Sequence, residues 1–309
     1  MSWNKCKMPE CVKQSSEMID TILIPRTGDI GNFEVHRALP ANEREMVGPF
    51  IFLDHLGPTT IGPGHYQDIG QHPHIGLSTL TYLLEGEIMH RDSLGTEQRV
   101  IPRAVGWMTS GKGIVHTERT PEDLRDGESY PLHGFQIWVA LPDEVEDMDA
   151  EFSYTPPEQL PSWSQGDIAY RLVAGKGYQR QSPVPVYSDL FLIEVTSKNK
   201  TVFEVHESLK GEIGVFVVSG YIEACGERIE QRHMLISKHQ DTCRLEIGEN
   251  TTLLVLGGQP LKSPRFIDWN FVSSSKQKIE NAKQRWEIKQ FKMVPNETGY
   301  VPLPKYGKR

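Results

Sequence analysis

The chain has 309 residues, 38% hydrophobic and 24% charged, with a formal net charge of −8. At about 150 residues per domain, this length supports two cores. The ordinary composition excludes a collagen, a coiled coil, wholesale disorder and a membrane bundle, and the negative charge opposes nonspecific nucleic-acid binding.

The N-terminal stretch MSWNKCKMPECVKQSSE holds no apolar export core, and no apolar run reaches the ~18–20 residues a helix needs to cross a bilayer. A cytoplasmic protein is expected, or a nuclear one in a eukaryote, with no membrane partner. The four cysteines, Cys6, Cys11, Cys225 and Cys243, form no C-x-x-C pair and read as reduced thiols.

From residue 20 to 150 the pattern is one of short β segments bounded by Gly, Pro, Asp or Asn, among them Phe50–Leu53, Thr79–Leu84, Arg99–Ile101 and Phe135–Val139. Close strands with this punctuation predict a sandwich or barrel rather than βαβ units. Residues 153–167, SYTPPEQLPSWSQGD, carry three prolines and no apolar periodicity, which marks a boundary. The expected division is 1–150, a Pro-rich linker at 151–167, and 168–309. Strands resume at Asp189–Val195, Thr201–Val205, Ile213–Val218 and Thr252–Leu256. A weak repeat joins the halves: the strand–polar–Gly–strand pattern around Gly86 recurs around Gly220, consistent with duplication of a barrel.

A helix is expected from Ser275, with Ile279, Ala282 and Trp286 at i, i+3, i+7 spacing. The Pro-interrupted stretch from Met293 to Pro304 should run extended over the surface. Residues 262–309 hold eleven basic and four acidic side chains, leaving −15 on the rest. Such a tail can present a solvated helix face, dock on the acidic body, or touch an anionic partner.

Seven of the eleven histidines fall between His55 and His133. His72 and His74 flank Pro73, and in an extended segment residues i and i+2 share a face. His116 and Glu118 repeat that spacing around Thr117. Two such strands side by side would offer three imidazoles and one carboxylate to a divalent first-row metal, leaving open positions for substrate or O₂. The alternative is hydrogen bonding within strands and turns. Asp54, His55, His90, Arg91 and Asp92 are weaker candidates for supporting the site, Lys112 for a tight turn, and Phe135 and Trp138 for core.

The run His72-Pro73-His74-Ile75-Gly76-Leu77 followed by Thr81–Ile88 and His90–Gly95 resembles the first cupin motif as the pirin family writes it. Gly106–Glu118 resembles the second, and the closing Val301-Pro302-Leu303-Pro304 is similar to pirin C-termini. Where general cupins place a ligand Glu, four or five positions after the second His, this chain has Ser78 and Thr79. The resemblance implies an all-β bicupin, two tandem antiparallel jelly-roll barrels with a C-terminal helix and extended tail. It implies Fe(II), or in its place Cu, Ni, Mn or Zn, held by His72, His74, His116 and Glu118. The second half, with His206, His233 and His239 scattered, would be a cupin without its metal. Two activities are implied. One is quercetin 2,3-dioxygenase-like opening of a flavonol with O₂ and release of CO, with Glu118 as ligand and base. The other is an iron-dependent, redox-sensing regulator of a transcription or metabolic protein partner, without direct DNA contact.

Overall fold

The computed structural model describes residues 19–29, 34–205, 209–237 and 244–304; Cys6, Cys11, Cys243, His206 and His239 lie outside them. Strands dominate, and they form where β-branched and aromatic residues cluster. Six of the eight expected apolar runs fall on longer strands, Phe50–Ile61, Leu77–Glu85, Tyr130–Ala140, Leu190–Ser197, Glu212–Ser219 and Thr251–Gly258, while Arg99–Ile101 and Thr201–Val205 fall on the short strands Glu97–Val100 and Thr201–Glu204. All named pairings are antiparallel.

The chain separates into two compact units, and both are discontinuous. One comprises Met1–Thr27, His36–Leu53 and Glu158–Pro260; the other comprises Gly28–Val35, Asp54–Pro157 and Leu261–Arg309. The contiguous division at 151–167 therefore describes sequence order rather than packing. Residues 151–167 do not form a spacer. Glu151–Thr155 pairs in register with Val105–Thr109, Ser162–Gln165 forms a hairpin with Ile168–Gly177, and the prolines occupy the turn between.

Besides a two-stranded ribbon of Phe266–Asp268 and Phe271–Ser273, the histidine-bearing unit has two main sheets rather than a closed barrel. One sets Glu151–Thr155, Val105–Thr109, Leu77–Glu85 and Tyr130–Ala140 side by side; the other runs Asp68–His74, Ile114–Arg119, Ile88–Asp92, Glu97–Val100. Leu56, Leu83, Ile88 and Leu132 form apolar core shared between them. The second unit has the same plan. A large sheet is accompanied by a small one ordered Thr201–Glu204, Arg244–Ile247, Tyr221–Ala224, Glu227–Glu230. Gly86 and Gly220 both turn the chain at φ near +80° and +75°, at the same place in each plan, which only glycine adopts without strain. The fold is thus a duplicated jelly-roll, as the repeat implied.

The helix forms at Lys276–Glu287, with Ile279, Ala282 and Trp286 buried as the spacing required. Its apolar face packs on Ile75, Val115, Phe271, Phe291 and Val294, so the helix belongs to the histidine-bearing unit. The basic tail docks on the acidic body. Lys262 pairs with Glu144 at 2.9 Å, and the almost fully buried Arg265 side chain pairs with Asp143 at 2.5 Å and donates to the Leu141 carbonyl at 2.7 Å. Lys278 reaches both Glu146 (2.6 Å) and Asp147 (2.5 Å).

Candidate metal centre

Asp68–His74 is the edge strand of its sheet, where Pro73, lacking an N–H, is tolerated. It pairs with Ile114–Arg119 so that His72 lies directly opposite His116, and His74 opposite Ile114. The rings of His72, His74 and His116 converge with centroids 4.2–5.1 Å apart, and one ring nitrogen from each lies within 4.8 Å of the others. All three side chains are buried. Gly76 ends the strand at φ +68°, and a Cβ there would overlap the Val272 carbonyl, which explains why glycine follows the His-Pro-His run.

Second partners fix the rings. His72 Nδ1 lies 2.8 Å from the Gly70 carbonyl and His74 Nδ1 3.1 Å from the Asn270 carbonyl. The Trp138 ring meets His74 edge-on at 5.1 Å. His116 Nδ1 faces His90 Nδ1 at 3.4 Å, and His90 Nε2 faces Asp92 Oδ2 at 3.1 Å. His116 Nε2 is buried and has no hydrogen-bond partner among the described residues. A buried polar nitrogen left unpaired is costly unless something else satisfies it.

Burial holds all three imidazoles neutral. It drops His72 to about 4, with smaller effects from the Gly70 carbonyl and His90. It also pushes His74 and His116 well below the ordinary histidine range, aided by the neighbouring histidines. Neutral imidazole is the ligand form, so the trio is ready for a metal at neutral pH without first losing protons. The converging donors, their protonation and the unpaired His116 nitrogen fit a divalent first-row ion.

Glu118 is buried beside the trio but does not lie within the same mutual distance. A bulge in the Asp68–His74 strand sets Glu118 opposite Ile69, while the Ile114–Arg119 strand itself stays in regular register with Ile88–Asp92. Its carboxyl Oε1 lies 3.1 Å from the Thr81 hydroxyl, which is also 3.0 Å from Gln136 Oε1. Burial raises the Glu118 pKa to about 7 against the opposing Thr81 contact.

Among the weaker candidates, Asp54 and His55 are fully buried, and His55 Nε2 sits 2.9 Å from His133 Nε2, with its ring stacked on Phe135; neither joins the trio. Arg91 pairs with Glu97, and Lys112 with Asp149 at the surface. The support of His74 by Asn270 has no local sequence signal, because 196 residues separate the two. The His90–Asp92 pair does have one: it repeats the i, i+2 same-face spacing of His72 and His74.

Residues 32–139 match the Pirin family and residues 192–292 the Pirin C-terminal cupin domain. A pirin-like protein of Caulobacter vibrioides is 42% identical over 93% of this chain and 100% of its own length. A Pseudomonas aeruginosa protein named "Putative quercetin 2,3-dioxygenase" is 33% identical over 90% of this chain and 86% of its own. The crystal structure of quercetin 2,3-dioxygenase from Acinetobacter baumannii is similar with a TM-score of 0.86 and 29% identity, covering 95% of this chain and 97% of that one. Matched in both halves and along nearly its full length, the chain belongs to the pirin family.

Proposed function

We propose that this chain is a metal-dependent dioxygenase of the quercetin 2,3-dioxygenase type, acting on a flavonol-like aromatic. His72, His74, His116 and Glu118 are its ligands and iron(II) its metal. The observation that carries the reading is the convergence of three neutral, buried imidazoles beside a buried carboxyl with a pKa of about 7. The similarity to proteins named quercetin 2,3-dioxygenase supports the substrate class. A bound metal supplies Lewis acidity toward the substrate oxygen and a path for electrons to O₂. The chain's own residues orient the substrate and handle its proton. Without metal, burial raises Glu118 to about 7, and a cation beside it favours the carboxylate, the form that can take the 3-hydroxyl proton of a flavonol. Thr81, bridging Glu118 and Gln136, steadies the carboxyl in either state.

Protein reconstituted with Fe(II) should consume quercetin aerobically, read as loss of flavonol absorbance together with CO release. Glu118→Gln should lower turnover by roughly 10²–10⁴-fold. No CO from the reconstituted chain, or full turnover and full iron occupancy in Glu118→Gln, would overturn the reading.

A further inference from the structure

Two of the three imidazoles have their tautomer set by a backbone carbonyl. Gly70 faces His72 Nδ1 and Asn270 faces His74 Nδ1. A carbonyl only accepts, so in each ring Nδ1 carries the proton and Nε2 keeps its lone pair for the cluster. His116 has no such anchor. Its Nδ1 faces another imidazole nitrogen, His90 Nδ1, at 3.4 Å, and either ring of such a pair can donate. Were His90 the donor, His116 would carry its own proton on Nε2 and could not ligate through it.

The ambiguity is resolved one residue further out. His90 Nε2 lies 3.1 Å from Asp92 Oδ2, while Asp92 Oδ1 accepts the backbone N–H groups of Leu94 at 2.9 Å and Thr96 at 3.1 Å. Every neighbour in this set is a donor, and a carboxylate only accepts. His90 therefore donates Nε2–H to Asp92 and presents Nδ1 as an acceptor. His116 in turn donates Nδ1–H, and the atom left bare is Nε2, the buried nitrogen without a partner among the described residues. Stacking of His90 on Phe152, with centroids 4.3 Å apart, holds the intermediate ring in plane.

We propose that Asp92, acting through His90, is a positioning residue that fixes the tautomer of His116 and so makes it a metal ligand. The inference rests on the trio being the metal site, and is independent of the substrate and of the reaction. Asp92→Asn is the informative variant. Its Oδ1 still accepts from Leu94 and Thr96, so the turn is kept, but its Nδ2 is a donor. The chain then reverses: His90 accepts at Nε2 and donates from Nδ1, and His116 carries its proton on Nε2.

The test uses the full chain without metal, labelled with ¹⁵N-histidine, followed by Co²⁺ titration. His116 is expected as the Nδ1–H tautomer in the wild type and as Nε2–H in Asp92→Asn, with Co²⁺ binding weakened about 10–100-fold. The double variant Asp92→Asn/His90→Phe keeps a ring on Phe152 but removes the donor facing His116. It should recover most of that loss, which a merely damaged turn would not do. An Nε2–H His116 in the wild type overturns the proposal without any variant. So does Co²⁺ binding unchanged in Asp92→Asn, or a double variant no better than the single one. Because neither readout involves flavonol or O₂, failure of quercetin turnover leaves this result standing, and the reverse also holds.

Discussion

His72 accepts a proton in the folded chain only near pH 4, because burial disfavours the charged ring, and His74 and His116 are shifted the same way. In the unfolded chain each protonates near 6.5. Below that pH the unfolded state binds more protons, so stability falls as pH drops from about 6.5 towards 4. Glu118 acts in the opposite sense. Its folded pKa of about 7 exceeds the ordinary 4.5, so its contribution is present below 4.5 and is lost as pH rises to 7. Three groups outweigh one, and the metal-free protein should gain on the order of 1–3 kcal/mol per pH unit between pH 5 and 6. Urea midpoints across that range check this, and a flat profile would mean the rings are hydrated. The trio was legible in the sequence because strand spacing alone puts His72 and His74 on one face. The bulge in the Asp68–His74 strand was not, since an irregularity in register arises from pairing between strands.

Among the elements, the C-terminal helix and the segment after it hold the strand of His72 and His74 from behind. Gln71 donates to the Gly299 carbonyl at 2.7 Å and accepts from Val294 N–H at 2.8 Å, Val301 N–H reaches the Gln71 carbonyl at 2.8 Å, and Trp286 Nε1 donates to the Val301 carbonyl at 2.9 Å. Arg119 closes the same set on Glu297 at 2.7 Å. Trp286→Ala should cost about 3–5 kcal/mol by denaturant unfolding. It should also weaken Co²⁺ binding. Unchanged affinity in a folded Trp286→Ala chain would show that the segment is only a cover. Gly76→Ala should likewise destabilise by more than about 1 kcal/mol, since alanine must adopt φ +68° against the Val272 carbonyl. The helix itself was readable from its i, i+3, i+7 apolar positions. Its docking site was not, because periodicity identifies a buried face without naming what buries it.

At the scale of the molecule, the described residues of the two halves differ: the histidine cluster lies in one, and an apolar core fills the corresponding place in the other. In the second unit the strands in the topological place of the ligand pair set Phe203 opposite Leu245, both buried in a continuous apolar core. Among the described residues His72, His74 and His116 form the one cluster of this kind. The chain should therefore bind one equivalent of Co²⁺, and His116→Ala none. At a hundredfold excess over Kd the ion should stabilise the wild type by about 2.7 kcal/mol, read as a rise in melting temperature absent from His116→Ala. A second equivalent of comparable affinity would contradict the assignment. The two-domain count was readable from length, but not the interleaving of the two units. Short strand segments from the N-terminal region and the whole C-terminal tail change sides, and nothing in composition records that exchange.

The Asn270 carbonyl that orients His74 has a consequence for how the protein is made. The three histidines of the cluster lie within the first 116 residues, but the carbonyl that orients one of them is at residue 270, and the helix and segment that back the strand come later still. A nascent or prematurely ended chain carries the histidines without their framework. A chain that stops before residue 270 would therefore hold His72, His74 and His116 without the carbonyl that orients His74.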